Sequence, residues 1–216
     1  MHAGFPQSTT NLIHVLRIGA GADEVLRPLL SRKGGKFLAE SMAMLLKLGF
    51  GFVMRDSLLN QQQAAQARAF LEENFVIIDP EAPSGKRYYQ GKFLIRTRRA
   101  GDDMNVLFCF CPHPERLLKQ MPWGETINSL EVVQTKVLSE QEAEELEHEP
   151  DKVDLVIRFK DVESILGLIG GANVDIVGML LDNVVQLKGN VGHLFKLGAI
   201  GANIQQAIQP DDLKIH

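Results

Sequence analysis

The chain has 216 residues with 23 basic against 27 acidic, a net charge of −4, enough for one domain of ordinary size or a core domain with an extension. That balance, with no basic stripe, argues against nucleic acid as the main partner. Its two cysteines, Cys109 and Cys111, stand one residue apart and cannot staple distant parts of a fold, so a disulfide framework is excluded and a cytoplasmic setting is expected.

Residues 5–18 carry Arg17 and several polar residues but no long apolar stretch before a small-residue cleavage site, so they do not read as a secretory signal. From Thr9 to Asn74 the periodicity is helical: Leu12, Val15 and Leu16 recur at helical spacing, as do Met42, Leu45, Leu46 and Gly49, and residues 61–73 are good helix formers. Three or four helices are predicted, with a break at Gly34-Gly35 and a weakened end near Gly49 and Gly51. The apolar run 37–53 is interrupted by Glu40 and Lys47 and falls short of the roughly 20 apolar residues that cross a bilayer. Arg27, Arg32, Lys33 and Lys36 precede it, either as a solvated helix end or as a basic patch for peripheral contact with anionic lipid.

The period changes after Phe75. Tyr89, Leu94 and Ile95 lead to a turn at 99–103, and the apolar segment 104–111 follows, which together read as a β-hairpin. Pro112 and Pro114 end its second strand, because neither can donate to a ladder. Residues 115–120 read as a short helical piece and 130–138 as a further strand, while Trp123, between Pro122 and Gly124, is either a surface anchor or ordinary packing. The run 140–151, dense in glutamate, reads as a solvated helix and linker.

The last third alternates in period again. Val153, Leu155, Ile157 and Phe159 alternate with Asp154, Arg158 and Lys160, a strand with one face on a core. Asp161 is placed to cap a helix marked by Val162, Ile165, Leu166 and Ile169. Gly170-Gly171 ends it, a short helix turns Ile176, Val177, Leu180 and Leu181 inward, 183–188 is a strand, Gly189-Asn190 a tight turn, and 191–208 a long closing helix. From Ser164 to Ile208 the formally charged residues are Asp175, Asp182, Lys188 and Lys196 alone, although 23% of the chain is charged. Leu194, Leu197, Gly201, Ile204 and Ile208 form one seam of the closing helix, and Val191, Phe195, Gly198 and Ala202 a second beside it. The apolar arc covers about half the helix, wider than the roughly 100° that one core demands, so the helix is buried between the sheet and the N-terminal helices, or in a dimer interface, or is a lid over an apolar ligand.

No sequence signal specifies catalysis. Gly19-Ala20-Gly21 lacks the third glycine of a dinucleotide loop, Gly35-Lys36 is followed by Phe37 where a phosphate loop needs Ser or Thr, and His14, His148 and His193 have no local triad partners. Cys109, Cys111 and His113 fall at alternate positions and would share one face of a strand, but no fourth ligand accompanies them, so no metal site is assigned.

The order of strand 153–159, helix 161–170, short helix, strand 185–188, Gly189-Asn190 turn and apolar helix containing Leu194 and Leu197 resembles the C-terminal half of the sterol carrier protein type two domain, with the hairpin at 91–111 matching its earlier strands. It departs from that family at 181–184, where members often carry Gly-Lys-Leu, and in a longer 112–149 segment. The resemblance implies an α/β (α+β) fold at 75–209 behind a helical extension at 1–74, with a mixed five-stranded sheet covered by helices and a lipid tunnel closed by the last helix. It implies non-catalytic binding or transfer of a sterol, fatty acid, acyl thioester, isoprenoid or phospholipid, with no cofactor. The lining residues it implies are Phe93, Ile95, Phe108 and Phe110 on the hairpin, Leu166 and Ile169, Val177 and Leu180, and Leu194, Leu197 and Ile204. The alternative is an accessory domain of the same fold, whose apolar helix forms a homodimer or docks on an enzyme.

Overall fold

A computed structural model describes residues 23–54, 61–122, 124–170 and 176–207. Helix α1 (Asp23–Met54) breaks at the predicted point, Gly34, with φ 72° and ψ −175°, a conformation open essentially to glycine alone. Gly35 permits a close approach: a Cβ there would collide with the Asp102 carbonyl and the Met104 side chain. Past the break the helix continues through Gly49 and Gly51, because Leu38, Ala39, Met42, Ala43, Phe50 and Met54 bury one face and hold it. Helix α2 (Gln61–Phe75) adds Ala67, Phe70, Leu71 and Phe75. The predicted helical positions Leu12, Val15 and Leu16 lie outside the described residues.

A ribbon of β1 (Val76–Ile78) and β2 (Lys86–Tyr88) leads into the predicted hairpin, β3 (Lys92–Thr97) and β4 (Asn105–Phe110). The segment predicted as helical at 115–120 is instead a 3₁₀ turn, Pro114–Arg116, followed by β5 (Leu118–Met121), which pairs with β6 (Gly124–Ile127). Proline opens the turn but a short helix gains little, and the reversal before Gly124 lets the backbone groups pair across a ladder instead. Trp123 lies outside the described residues. Next come β7 (Val133–Val137), α3 (Glu140–Glu147), β8 (Leu155–Phe159), α4 (Val162–Gly170), α5 (Ile176–Leu181), β9 (Val185–Gly189) and α6 (Gly192–Ala207).

The main sheet is mixed and five-stranded, ordered β7-β4-β3-β8-β9, with β3 and β8 parallel and the other pairs antiparallel. One face packs under α1, α2, α4 and α6 in a single hydrophobic core. The other face carries a smaller cluster of Leu94, Leu138, Ala143, Val153 and Val156 beneath α3. Strand β8 therefore has both faces covered, where alternation predicted one, because it lies inside the sheet and α3 crosses its outer face.

The acidic run is likewise more than a solvated helix. Ser139 and Glu142 form a reciprocal capping box that starts α3, and Ala143 and Glu147 are buried on the sheet. Glu147 is wholly enclosed, its carboxylate held by Arg96 Nη1 and Arg158 Nε, each at 3.0 Å. Arg96 also binds Glu140, which accepts from Asn105 Nδ2 at 3.0 Å. Seven residues, two helical turns, put Glu140 and Glu147 on one face, and the basic side chains that β3 and β8 send outward meet them there.

The cap gives a pH prediction. The backbone N–H of Ser139, then Lys136 and the Ser139 hydroxyl, hold the Glu142 carboxyl down from 4.5 to about 2. A carboxyl depressed on folding adds stability that is complete above its unfolded pKa and disappears as pH falls through its folded one. Glu142→Gln, which removes the titrating carboxyl, is therefore expected to flatten the acid limb of the pH–stability profile between about 4.5 and 2, as measured by thermal unfolding. An unchanged limb would show that the Glu142 carboxylate has no part in acid sensitivity.

Helix α4 is fixed by its start. Asp161 accepts from Ser164 N at 2.8 Å, the predicted cap, and Asp102 of the β3–β4 turn accepts from Val162 N at 3.0 Å. The turn thus holds the first turn of a helix some sixty residues on.

Candidate functional site: the apolar face under α6

Eight of the residues expected to line a ligand site meet in one place. Phe93, Ile95, Phe108, Phe110, Leu197 and Ile204 are buried in the main core, and Leu166 and Leu194 pack against it half-buried. Strand alternation explains the sheet members, since every second residue of β3 and β4 faces the helices. Phe93 and Phe108 are register partners across those strands, and their rings stack at 4.9 Å and 8°.

Leu180 is a correction. It is 38% exposed, and Leu181 80%, while their neighbour Met179 packs on the core. In a six-residue helix reading Ile-Val-Gly-Met-Leu-Leu, no polar residue marks the outer side, so the phase was illegible. The side chains of Ile169, Ile176 and Val177 lie outside the described residues, as does Ile208.

On α6 the first predicted seam is buried through Leu197, Gly201 and Ile204, joined by Ile200 and Gly198. The second seam divides. Val191 and Phe195 are exposed at 44% and 45%, because the buried arc centres on Leu197, Ile200 and Ile204, and Ile204 packs toward Gly49 of α1.

The N-terminal helices meet α6, as one of the expected alternatives had it, through Asn74 and Gly49, but the aromatic rings they bring were not among the expected lining residues. Phe50 of α1 and Phe75 of α2 lie 5.6 Å and 5.5 Å from the Phe110 ring, so the sheet face is covered from two sides by aromatic rings. The sequence also missed the polar corner at the head of α6. The Tyr89 hydroxyl meets His193 Nδ1 at 2.6 Å, the two rings stack at 5.7 Å, and His193 Nε2 lies 3.9 Å from Asp154 Oδ1. With the proton on Nε2, toward the carboxylate, Nδ1 accepts from Tyr89. Burial, reinforced by Asp154, pushes the Tyr89 hydroxyl well above its ordinary pKa, so it stays a neutral donor. At the other end, Asn203 Nδ2 donates to Asn74 Oδ1 at 2.7 Å. His193 showed no partner in sequence because Tyr89 and Asp154 stand far away along the chain.

Tyr89→Phe removes the first of these attachments while keeping the ring. A cost of about 0.5–1.5 kcal/mol is expected. Amide exchange over the first turns of α6 should quicken by more than exchange in the central strands, which hydrogen exchange read by mass spectrometry will resolve. Uniform acceleration would mean that the contact does not hold this helix in particular.

Lys196 lies 5.9 Å above the Tyr89 ring centre, and burial lowers its pKa. Burial pushes the Cys111 thiol up to about 12, so its thiolate, the form that reacts, is scarce at neutral pH. Cys109, Cys111 and His113 do not share the face that strict alternation predicted. Cys111 sits past the strand end with φ 44° and turns into the main core, whereas Cys109 is half-exposed. Among the described residues, no group of three or more His, Cys, Asp or Glu side chains is placed to hold a metal ion. Nor, among them, is any helix long and apolar enough to cross a membrane.

Compared with protein-family models, curated proteins and solved structures, the chain matches none. The fold itself defines a class: a mixed α+β protein built on a five-stranded mixed sheet with helices against both faces.

Proposed function

We propose that the chain is a lipid-binding domain of the sterol-carrier type, which holds a long apolar molecule between the sheet and α6 without covalent chemistry. One observation carries the reading. The expected lining residues of the β3–β4 hairpin, α4 and α6 join a single hydrophobic core, and the buried arc of α6 contains Gly198 and Gly201. Each glycine in a helix costs about 0.8–1 kcal/mol relative to alanine, which suits a helix that must lift. Among the described residues, Tyr89–His193 and Asn74–Asn203 are the side-chain hydrogen bonds named above that opening would break.

In the ligand-free fold Phe93 and Phe108 stack on each other within this core, and on this reading the ligand enters by displacing α6. A 16-carbon tail supplies on the order of 12 kcal/mol of gross burial energy, ample for micromolar affinity after the cost of immobilisation. Titration with a fluorescent fatty acid tests this. Saturable binding that palmitate displaces and that Leu197→Gln weakens about tenfold or more is expected, and no saturable binding rejects the reading.

The accessory reading has one observation of its own: Val191 and Phe195 leave an apolar strip on the outer side of α6. Size exclusion over a hundredfold concentration range separates the two. An obligate dimer that releases no lipid on organic extraction favours docking.

A further inference from the structure

A second cleft lies away from α6. Helix α2 contributes Arg68, Leu71 and Glu72, the β1–β2 ribbon Val76, Ser84, Lys86, Arg87 and Tyr88, and the β5–β6 ribbon Leu118 and Ile127, around a volume of about 230 Å³. At roughly 30 Å³ per water molecule of liquid, that is room for a body the size of about eight waters, too small for a long acyl chain. Leu71 and Ile127 belong to the same core, but none of its lining residues is among those expected to line the lipid site, so nothing below rests on the lipid reading.

The wall is two-sided in chemistry. Leu71 and Ile127 are buried members of the core and form an apolar floor with Val76 and Leu118. The rim holds three cations against the carboxylate of Glu72. Arg87 is paired with Asp79 at 3.0 Å, and Arg68 spends one N–H on the Glu125 carbonyl at 2.6 Å. Among the described residues the Lys86 ammonium has no acid partner and the Tyr88 hydroxyl no hydrogen bond. Partial burial, the largest influence, raises the Tyr88 pKa and keeps the hydroxyl a donor, while Glu72 of α2 and Glu125 of β6 oppose an anion there and Arg68 of α2 favours one.

We infer that this cleft binds a small free organic anion, a compact apolar body bearing a carboxylate or phosphate. The anionic oxygens meet Lys86 and Tyr88 on the β2 side, and the body lies on Leu71, Val76, Leu118 and Ile127. A cation and a neutral hydroxyl beside a water-poor floor reward a ligand that carries both features and reward neither feature alone.

The test uses the full chain with benzoate, phenyl phosphate, phenol, inorganic phosphate and phosphatidic acid vesicles as probes, read by calorimetry and by amide chemical shifts. Benzoate or phenyl phosphate is expected to bind saturably, with shifts at residues 71, 76, 88, 118 and 127, and about tenfold more tightly than inorganic phosphate or phenol. Lys86→Gln, an exposed substitution that leaves the fold intact, should weaken the aromatic anions by about tenfold and leave phenol unchanged. Tyr88→Phe should weaken the anions more modestly. The inference is overturned if no probe saturates, if Lys86→Gln leaves the anions unaffected, if the shifts gather on α6, or if vesicles bind where the free anions do not. Loss of fatty-acid binding under α6 leaves these outcomes untouched, so the two readings fail separately.

Discussion

Replacing Glu147 with alanine is expected to cost about 3–5 kcal/mol, read as a fall in the urea midpoint with the slope unchanged. The side chain is 0% exposed, and its carboxylate receives Arg96 and Arg158 on the outer face of the sheet while Lys188 Nζ donates to its backbone carbonyl at 3.0 Å. Removing it leaves the Arg96 guanidinium, itself 8% exposed, with Glu140 as its remaining acid partner. A buried guanidinium left with only a half-exposed acid is the expensive outcome, whereas removing the whole set is cheap. Arg96→Met, Glu147→Leu and Arg158→Met together should therefore recover most of the loss. Glu140→Gln, at a half-exposed position, should cost no more than about 1 kcal/mol. If the triple variant is no more stable than the single, the network is not a buried charge balance.

Phe108→Ala is expected to destabilise the free protein by a similar 3–5 kcal/mol. The ring is 1% exposed, stacked on Phe93 and set edge-on to Phe110 at 5.8 Å and 71°. A sheet residue with its neighbours fixed by the ladder on both sides collapses poorly around the vacated space. This variant also bears on binding. A ligand that binds only the folded state stabilises by about 2.7 kcal/mol at one hundred times its Kd. Palmitate should raise the melting temperature of Phe108→Ala by more than that of the parent, because it fills space the ring has left. Equal increments would place the ligand away from the ring stack.

Much of this architecture was legible because it is local or periodic. The break at Gly34, the Asp161 cap, the β3–β4 hairpin and the inner seam of α6 each follow from backbone freedom, side-chain reach or a regular apolar repeat. What stayed hidden depends on distant partners. Glu147 looked like one acid in a solvated run, and becomes a buried hub because β3 and β8 present Arg96 and Arg158 at the same register. His193 looked isolated until the sheet carried Tyr89 and Asp154 to it. Cys111 left the strand's alternation through one positive φ, which no side-chain pattern announces. The candidate site was read as sheet against C-terminal helices, and its missing wall, Phe50 and Phe75, came from a segment whose periodicity gave helices but not where they dock.

Native mass spectrometry of the freshly purified protein, repeated after organic extraction, tests the proposal of an apolar ligand under α6 most directly. The account predicts added mass of acyl or isoprenoid size that extraction removes and that palmitate restores to the wild-type chain but not to Leu197→Gln. A bare polypeptide mass before extraction, with no palmitate adduct formed afterwards, would contradict it.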